Sequence, residues 1–298
     1  MIHHTRPKRV RRCQLAVPGS SEKMLTKAAG LDVDYVFLDL EDAVAIAEKE
    51  MTRSKVVEAF KAADRRALHY VRVNGADTHY CQEDIKQTVG TWLDGIVLPK
   101  VESPDVLGQV EQWLAEAEAV AGMPAGSLDL LPIIETAAGV ENAAAIATAG
   151  SRIKRLAFGG GDYTLDLDYL WSADEEVLQY ARARLSHASR LGDLLPPVDT
   201  VVLQINDNER FIASAERGRK YGFGGKLCIH PSQVPLANAV FTPSGDEIAH
   251  ARAVVAAFEE AESQGSASIQ LDGYFIDYPI VYKSQRILAL ASLLETKQ

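Results

Sequence analysis

The sequence predicts an α/β fold, a (β/α)8 TIM barrel followed by a C-terminal extension, and three observations carry that expectation. Short apolar runs alternate along the chain with segments of helical pattern, the rhythm of repeated βα units. The runs close at eight, which selects a barrel over an open doubly wound sheet. Most stop at a charged or polar residue, and in a barrel the C-terminal strand ends line the active site.

The clearest unit lies over residues 131–163. Leu131-Pro132-Ile133-Ile134 stops at Glu135, an Ala-rich run follows, and Leu156-Ala157-Phe158-Gly159-Gly160-Gly161 stops at Asp162. Right-handed crossover makes the two strands parallel, so both acids leave the same edge. Two converging carboxylates suit a hard divalent cation, Mg²⁺ or Mn²⁺, that takes oxygen ligands and keeps waters for a substrate. The plainer alternative is that each acid caps the helix behind it. Recurrence of charged strand exits along the chain favours the metal.

In chain order, a basic arm ending in Arg9-Val10-Arg11-Arg12 precedes a first strand over 14–17. Ser20 or Ser21 can cap a helix carrying Met24, Leu25 and Ala28 and closed by Gly30. A second strand over 35–38 runs into Asp39, Glu41 and Asp42, and a helix over 49–60 follows. The third, over 69–75, places Arg72 and Asn74 on one face by period-two alternation. The fourth, over 95–99, delivers Lys100, after which Ser103 and Pro104 open a helix. Strands five and six bring Glu135 and Asp162, the seventh (197–202) Asp199, and the eighth (225–231) Lys226 and His230. Beyond the eighth unit come a helix with Ile248, Val255 and Phe258, a segment ending at Asp277-Tyr278-Pro279, and a final helix. That tail is surplus to a barrel and serves a lid or a subunit contact. The expected division is a basic arm over 1–12, a catalytic barrel over 13–262, and a lid or oligomerisation segment over 263–298.

Composition bounds the function. With 298 residues and 47% hydrophobic, the chain can bury a sizeable core. A net charge of −10 argues against a nucleic-acid partner. The arm lacks the apolar stretch of a signal peptide, and no run is long enough to span a membrane. Cys13, Cys81 and Cys228 have no paired spacing, so neither a disulfide framework nor a zinc site is expected, and a cytoplasmic location is. Gly222-Phe223-Gly224-Gly225-Lys226 has the wrong spacing for a Walker A loop, and the run at Gly159 is not the dinucleotide fingerprint.

The strand exits suggest the chemistry. One guanidinium, Arg72, among Asp39, Glu41 and Asp42 fits a carboxylate ligand held bidentately. Gly160 and Gly161 before Asp162 let backbone approach closely and offer N–H groups to an oxyanion. A metal, an arginine and amide donors would bind an α-keto or α-hydroxy acid. Each residue has a plainer alternative. Arg72 could neutralise Asp39 or Glu41. Glu41 and Asp42 could cap a helix or support metal ligands. His230 could be a hydrogen-bonded core residue, and Asp277 the N-cap of the last helix. Lys100 leaves an imine mechanism open.

Several blocks resemble the HpcH/HpaI aldolase–citrate lyase β-subunit family, most closely its malyl-CoA and citramalyl-CoA lyases. They are Val17-Pro-Gly-Ser20, Phe37-Leu-Asp-Leu-Glu-Asp-Ala-Val44, Val71-Arg-Val-Asn-Gly75, Leu98-Pro-Lys-Val-Glu-Ser103, Ile134-Glu-Thr-Ala-Ala-Gly139 and Phe158-Gly-Gly-Gly-Asp-Tyr163. The run at Gly222, Ile229-His-Pro231 and Ile276-Asp-Tyr-Pro279 complete them, in order along the chain. The resemblance implies a Mg²⁺-dependent barrel that cleaves a β-hydroxyacyl-CoA thioester to acetyl-CoA, or a homologue, and an α-keto acid. It implies Glu135 and Asp162 as metal ligands, Arg72 on the keto-acid carboxylate, and Asp39 and Glu41 supporting the metal's water shell. Asp277 would be the catalytic acid, contributed by a neighbouring subunit of a homotrimer or homohexamer. Asn74, His230, Gly160 and Gly161 would line the substrate site, and Lys226 and Arg12 would contact CoA. Citrate lyase β-subunit, malyl-CoA thioesterase and non-catalytic readings stay beside it. Gly161 departs from relatives that carry Ala or Glu before the metal-binding Asp, which bears on pocket shape.

Overall fold

The computed structural model describes residues 9–21, 23–24, 31–63 and 65–296. The expected helix through Leu25, Ala28 and Gly30 falls outside the described residues, as does most of the basic arm.

Eight strands close a barrel in chain order: β1 (Cys13–Pro18), β2 (Tyr35–Asp39), β3 (Leu68–Arg72), β4 (Gly95–Leu98), β5 (Asp129–Ile134), β6 (Ala157–Phe158), β7 (Val198–Asp199) and β8 (Gly225–Cys228). Every neighbouring pair is parallel, and β8 returns to β1 with Leu15 opposite Cys228. The TIM barrel expected from eight apolar runs is the fold observed. Lys49–Ala62 (α1), Tyr80–Thr88 (α2), Asp105–Val120 (α3), Ala137–Glu141 (α4), Ala143–Thr148 (α5), Gly160–Asp166 (α6), Gln179–Leu191 (α7), Asn208–Lys220 (α8) and Gln233–Phe241 (α9) connect or follow the strands. Apolar spacing makes these helices: Leu107, Val110, Leu114 and Ala117 form one buried stripe on α3. Thr136 starts α4 by accepting the Gly139 N–H at 3.1 Å.

Period-two alternation divides each strand between two cores. Tyr35, Phe37, Tyr70, Val97, Ile133 and Leu227 belong to the core inside the barrel. Val36, Leu38, Val71, Ile96, Ile134 and Cys228, one register position away, belong to the larger core shared with the helices. The inward rows of β2 and β3 end at Asp39 and Arg72, which are register partners, and the β5 row continues to Glu135. The two-residue strands β6 and β7 are far shorter than the expected 197–202 run, because the chain leaves the ladder at Gly159 and Thr200 to build the rim. At the opposite end, Arg11 pairs with Asp129 at 3.1 Å and Arg12 with Asp34 at 3.0 Å.

Of the described residues, Arg11–Ala239 form one compact unit, and Val240 onward, together with Arg9 and Val10, form a second, so α10 falls in the second unit although the expected barrel runs to 262. The reason is packing within the second unit. Its long helix Gly245–Ser263 (α10) opens with a capping box of Ser244 and Glu247. Val254 and Phe258 of α10 share a small core with Ile276 and Val281 from the hairpin β9 (Ser268–Leu271) and β10 (Tyr274–Asp277) and from the last helix, Tyr278–Glu295 (α11). The helix therefore belongs with the tail rather than with the barrel.

Candidate active site

The mouth of the barrel is built from the inward rows of β2, β3 and β5. Asp39 is 2% exposed. Its carboxylate accepts the N–H groups of Glu41 (2.9 Å) and Ala43 (3.1 Å), which shapes the turn leaving β2. It also takes Arg72 in a two-point fork, Nε at 2.7 Å and Nη2 at 2.5 Å. Arg72 Nη1 lies 3.2 Å from Glu41 Oε2, and the guanidinium covers the Phe37 ring at 5.7 Å. Burial opposes the Arg72 charge, but Asp39 and Glu41 outweigh it and hold its pKa above the ordinary value. Arg72 thus does neutralise Asp39 and Glu41. Two of its five N–H groups bond Asp39, a third faces Glu41 as an ion pair without a hydrogen bond, and two remain for a ligand.

Glu135, just beyond β5, is 3% exposed. Burial first, then the charge of Asp162, push its carboxyl up to about 8. One oxygen, Oε1, accepts the backbone N–H of Lys100 at 2.8 Å. Gly159 supplies the room: a Cβ there would stand 2.1 Å from Glu135 Oε2. Asp162 follows in the first turn of α6. Lys100 has φ 51°, in the left-handed region. Its ammonium bonds Glu41 and lies 3.4 Å from Asp42. Burial opposes that charge, yet the bond to Glu41 prevails and raises the pKa, so the amine is held protonated. An ammonium paired with Glu41 lends no support to a Schiff-base role.

Glu135 and Asp162 fit a divalent cation. Two neighbouring carboxylates, one driven neutral by burial and by the other, are the oxygen donors that a hard dication would stabilise. Among the described residues no group of three or more His, Cys, Asp or Glu is arranged to hold a metal. An ion here would therefore rest on two protein carboxylates, with its other positions left to water and ligand.

Other expected residues go elsewhere. Lys226 does not face the mouth: it has the outward parity of β8, is fully buried, and bonds Asp199 at 2.9 Å and Ser214 at 2.8 Å. Asp199 is in the same buried cluster, forked to Arg182 at 2.9 and 3.0 Å, not at the mouth. Arg12, paired with Asp34, sits at the N-terminal end of the strands, opposite the mouth. Neither cation faces the barrel mouth from there. Asn74 is structural, since its amide bonds Asp84 and the Leu40 carbonyl and its oxygen accepts Lys49 at 2.7 Å. The Gly160 N–H is already given to Thr200 Oγ1 at 2.7 Å, so it is no open oxyanion donor. Gly161 has open space at its Cβ position, bounded by Trp171 at 3.8 Å. His230 is half-buried, with Nδ1 2.8 Å from Ser232 Oγ. Asp277 ends β10 at the N-cap position of α11, but its side chain makes no capping hydrogen bond.

Thr200 and Asp84 were not singled out from sequence. Thr200 lies two residues past the inward Val198, a parity that the two-residue β7 is too short to reveal in sequence. Asp84, buried in α2 and bonded to Arg53 and Asn74, had no local signal.

The sequence pattern of the HpcH/HpaI aldolase/citrate lyase family matches residues 12–231. A citrate lyase subunit beta from Leuconostoc mesenteroides subsp. cremoris is 38% identical over 285 residues, covering 95% of this chain and 94% of that one. A (3S)-malyl-CoA thioesterase from Cereibacter sphaeroides is 36% identical over 292 residues, covering 98% and 97%. Among solved structures, CitE from Mycobacterium tuberculosis in complex with magnesium, acetoacetate and coenzyme A matches with a TM-score of 0.79 and 27% identity, over 96% of this chain and all of that one.

Proposed function

The chain belongs to the HpcH/HpaI aldolase/citrate lyase family, and from that premise we propose that it is a Mg²⁺-dependent carbon–carbon lyase. Its substrate would be a β-hydroxyacyl-CoA thioester of the malyl-CoA or citramalyl-CoA type, cleaved to acetyl-CoA and an α-keto acid by a retro-aldol reaction. The observation that carries the reading is Glu135, whose carboxyl is pushed up to about 8 beside Asp162 in the mouth that holds Arg72. A related CitE binds magnesium, acetoacetate and coenzyme A, which supports both the metal and the ligand classes.

Glu135 and Asp162 would hold the ion. When bound, Mg²⁺ supplies Lewis acidity that lowers the pKa of the substrate hydroxyl. The chain's own residues do the rest. Arg72 would bind the keto-acid carboxylate through its two remaining N–H directions, held in plane by Asp39 and Glu41. In cleavage the hydroxyl gives its proton to a solvent water, the carbon–carbon bond breaks to leave the keto-acid carbonyl, and the bond's electron pair moves to the thioester α-carbon. Asp277, free of any capping bond, would deliver a proton there, and remove one in condensation. Gly161 and His230 would shape the pocket around the ligand.

We further place the enzyme in the cytoplasm as a homotrimer or homohexamer. Its three cysteines are buried and outside any disulfide, which suits a reducing compartment, and among the described residues no helix is long and apolar enough to cross a membrane. The 38% identity to a citrate lyase subunit beta favours a second reading, cleavage of a carrier-protein thioester.

The deciding experiment is a mass-spectrometric condensation assay. Protein, Mg²⁺ and acetyl-CoA or propionyl-CoA are offered glyoxylate, pyruvate or oxaloacetate, with and without EDTA. A metal-dependent hydroxyacyl-CoA product is expected. If malyl-CoA loses CoA to water and no condensation occurs, the protein is a thioesterase. If neither reaction occurs with free CoA esters, the lyase reading survives only on a carrier protein.

A further inference from the structure

We propose that Lys100 is a positioning residue that joins the two halves of the site. Its backbone aims the carboxylate of Glu135, and its ammonium fixes Glu41 and, through it, Arg72. The inference rests on the reading above, in which Glu135 holds the divalent ion and Arg72 the keto-acid carboxylate.

The backbone is the first observation. A φ of 51° is uncommon for any residue but glycine and is a genuine outlier for bulky ones. Such conformations persist where the surroundings over-determine them, and they collect at functional sites. Here the surroundings are on view. The Val101 N–H donates to the Ile133 carbonyl at 3.2 Å, and the Val101 side chain is buried. Gly139 of α4 packs so closely that a Cβ on it would stand 2.6 Å from the Val101 carbonyl oxygen. The turn held in this way points the Lys100 N–H at Glu135 Oε1, 2.8 Å away.

The side chain is the second observation. Glycine would take this backbone without strain, yet the position carries a lysine. The ammonium accounts for the choice. It bonds one oxygen of Glu41, while the other oxygen faces Arg72 Nη1 at 3.2 Å. That second oxygen is buried with no hydrogen bond of its own, so Glu41 depends on Lys100 for its orientation. One residue therefore reaches the metal-binding carboxylate through its main chain and the carboxylate-binding arginine through its side chain.

The two roles separate by substitution. Lys100→Gly keeps the left-handed backbone and the N–H but drops the ammonium. Lys100→Met drops the ammonium and keeps a long side chain. Lys100→Val opposes the backbone through its branched Cβ, Lys100→Ala opposes it less, and Lys100→Arg restores a cation. Mn²⁺ binding to each metal-free protein is read from the free-ion electron paramagnetic resonance signal, without substrate and without turnover, after circular dichroism has confirmed folding. Lys100→Gly and Lys100→Met are expected to bind Mn²⁺ within about 3-fold of the wild type, and Lys100→Val about 10–100-fold more weakly, with Lys100→Ala between them. In condensation, Lys100→Gly and Lys100→Met are expected to raise the keto-acid KM about 10-fold or more, and Lys100→Arg to recover most of that loss. Wild-type Mn²⁺ affinity in both Lys100→Val and Lys100→Ala overturns the backbone role. An unchanged keto-acid KM in Lys100→Met overturns the ammonium role. A wild-type protein that binds no Mn²⁺ overturns the functional reading beneath both.

Discussion

Glu135 keeps its proton into the neutral range because burial and the neighbouring Asp162 both oppose its charge. The consequence is a pH dependence with a definite sign. The folded, metal-free protein retains a proton that the unfolded chain has lost above about 4.5, so this stabilisation is complete below that pH and is lost as pH rises to about 8. Melting temperatures of EDTA-treated protein should therefore fall across that window, the fall should shrink in Glu135→Gln, and Mg²⁺ should offset it by binding the ionised form. Equal slopes in wild type and Glu135→Gln would dispose of the idea. Gly159 gives a second prediction. Gly159→Ala puts a methyl 2.1 Å from Glu135 Oε2, which must move. Mn²⁺ affinity should drop at least about 10-fold while the fold stays intact by circular dichroism. Glu135 was legible in sequence as an acid ending an apolar run, whereas the packing of Gly159 against it was not. Nor was the perturbed proton, because it depends first on how deeply the folded barrel buries Glu135 and only then on the charge of Asp162.

Strand parity separates functional from structural charge, and it explains what the linear sequence hid. Asp39, Arg72 and Glu135 continue inward rows, whereas Asp199 and Lys226 alternate outward and meet Arg182 and Ser214 behind the barrel wall. All look alike as charged residues near strand ends. What distinguishes them is one register step, and in the two-residue β7 the pattern is too short to count from. Lys226→Met leaves Asp199 buried beside Arg182 with one partner fewer, and breaking such a fully buried pair costs about 3–5 kcal/mol. Urea unfolding should register that loss, while the KM for acyl-CoA in the surviving folded protein should not change. A selective rise in that KM would return Lys226 to the CoA site. Arg12 was misleading for a related reason: a basic arm reads as a phosphate contact, but its last residues are used in closing the N-terminal end of the barrel against Asp34 and Asp129.

The whole molecule poses the question of where the acid comes from. Eight apolar runs make the barrel legible, while the place where the barrel gives way to the tail is not marked in sequence. Helix α10 carries an amphipathic pattern indistinguishable from a barrel helix, and only its shared core with Ile276 and Val281 assigns it to the tail. Asp277 sits in that tail, on a hairpin whose Tyr274 and Phe275 are 70% and 67% exposed, and its carboxylate caps nothing. If the tail of one subunit completes the site of the next in a closed ring, two inactive variants should rescue each other. On the proposed roles, Asp162→Ala would lack a metal ligand and Asp277→Ala would lack the acid. Unfolded and refolded together in equal amounts, they would assemble sites that combine an intact Asp162 with a neighbour's intact Asp277. Random assembly into a ring makes that combination at about a quarter of the sites, so about a quarter of wild-type activity should return. An acid acting within its own subunit gives no recovery at all, since each chain then carries one fatal substitution. The measurement therefore reads the provenance of the proton donor directly, and it does so without reference to which keto acid the enzyme prefers.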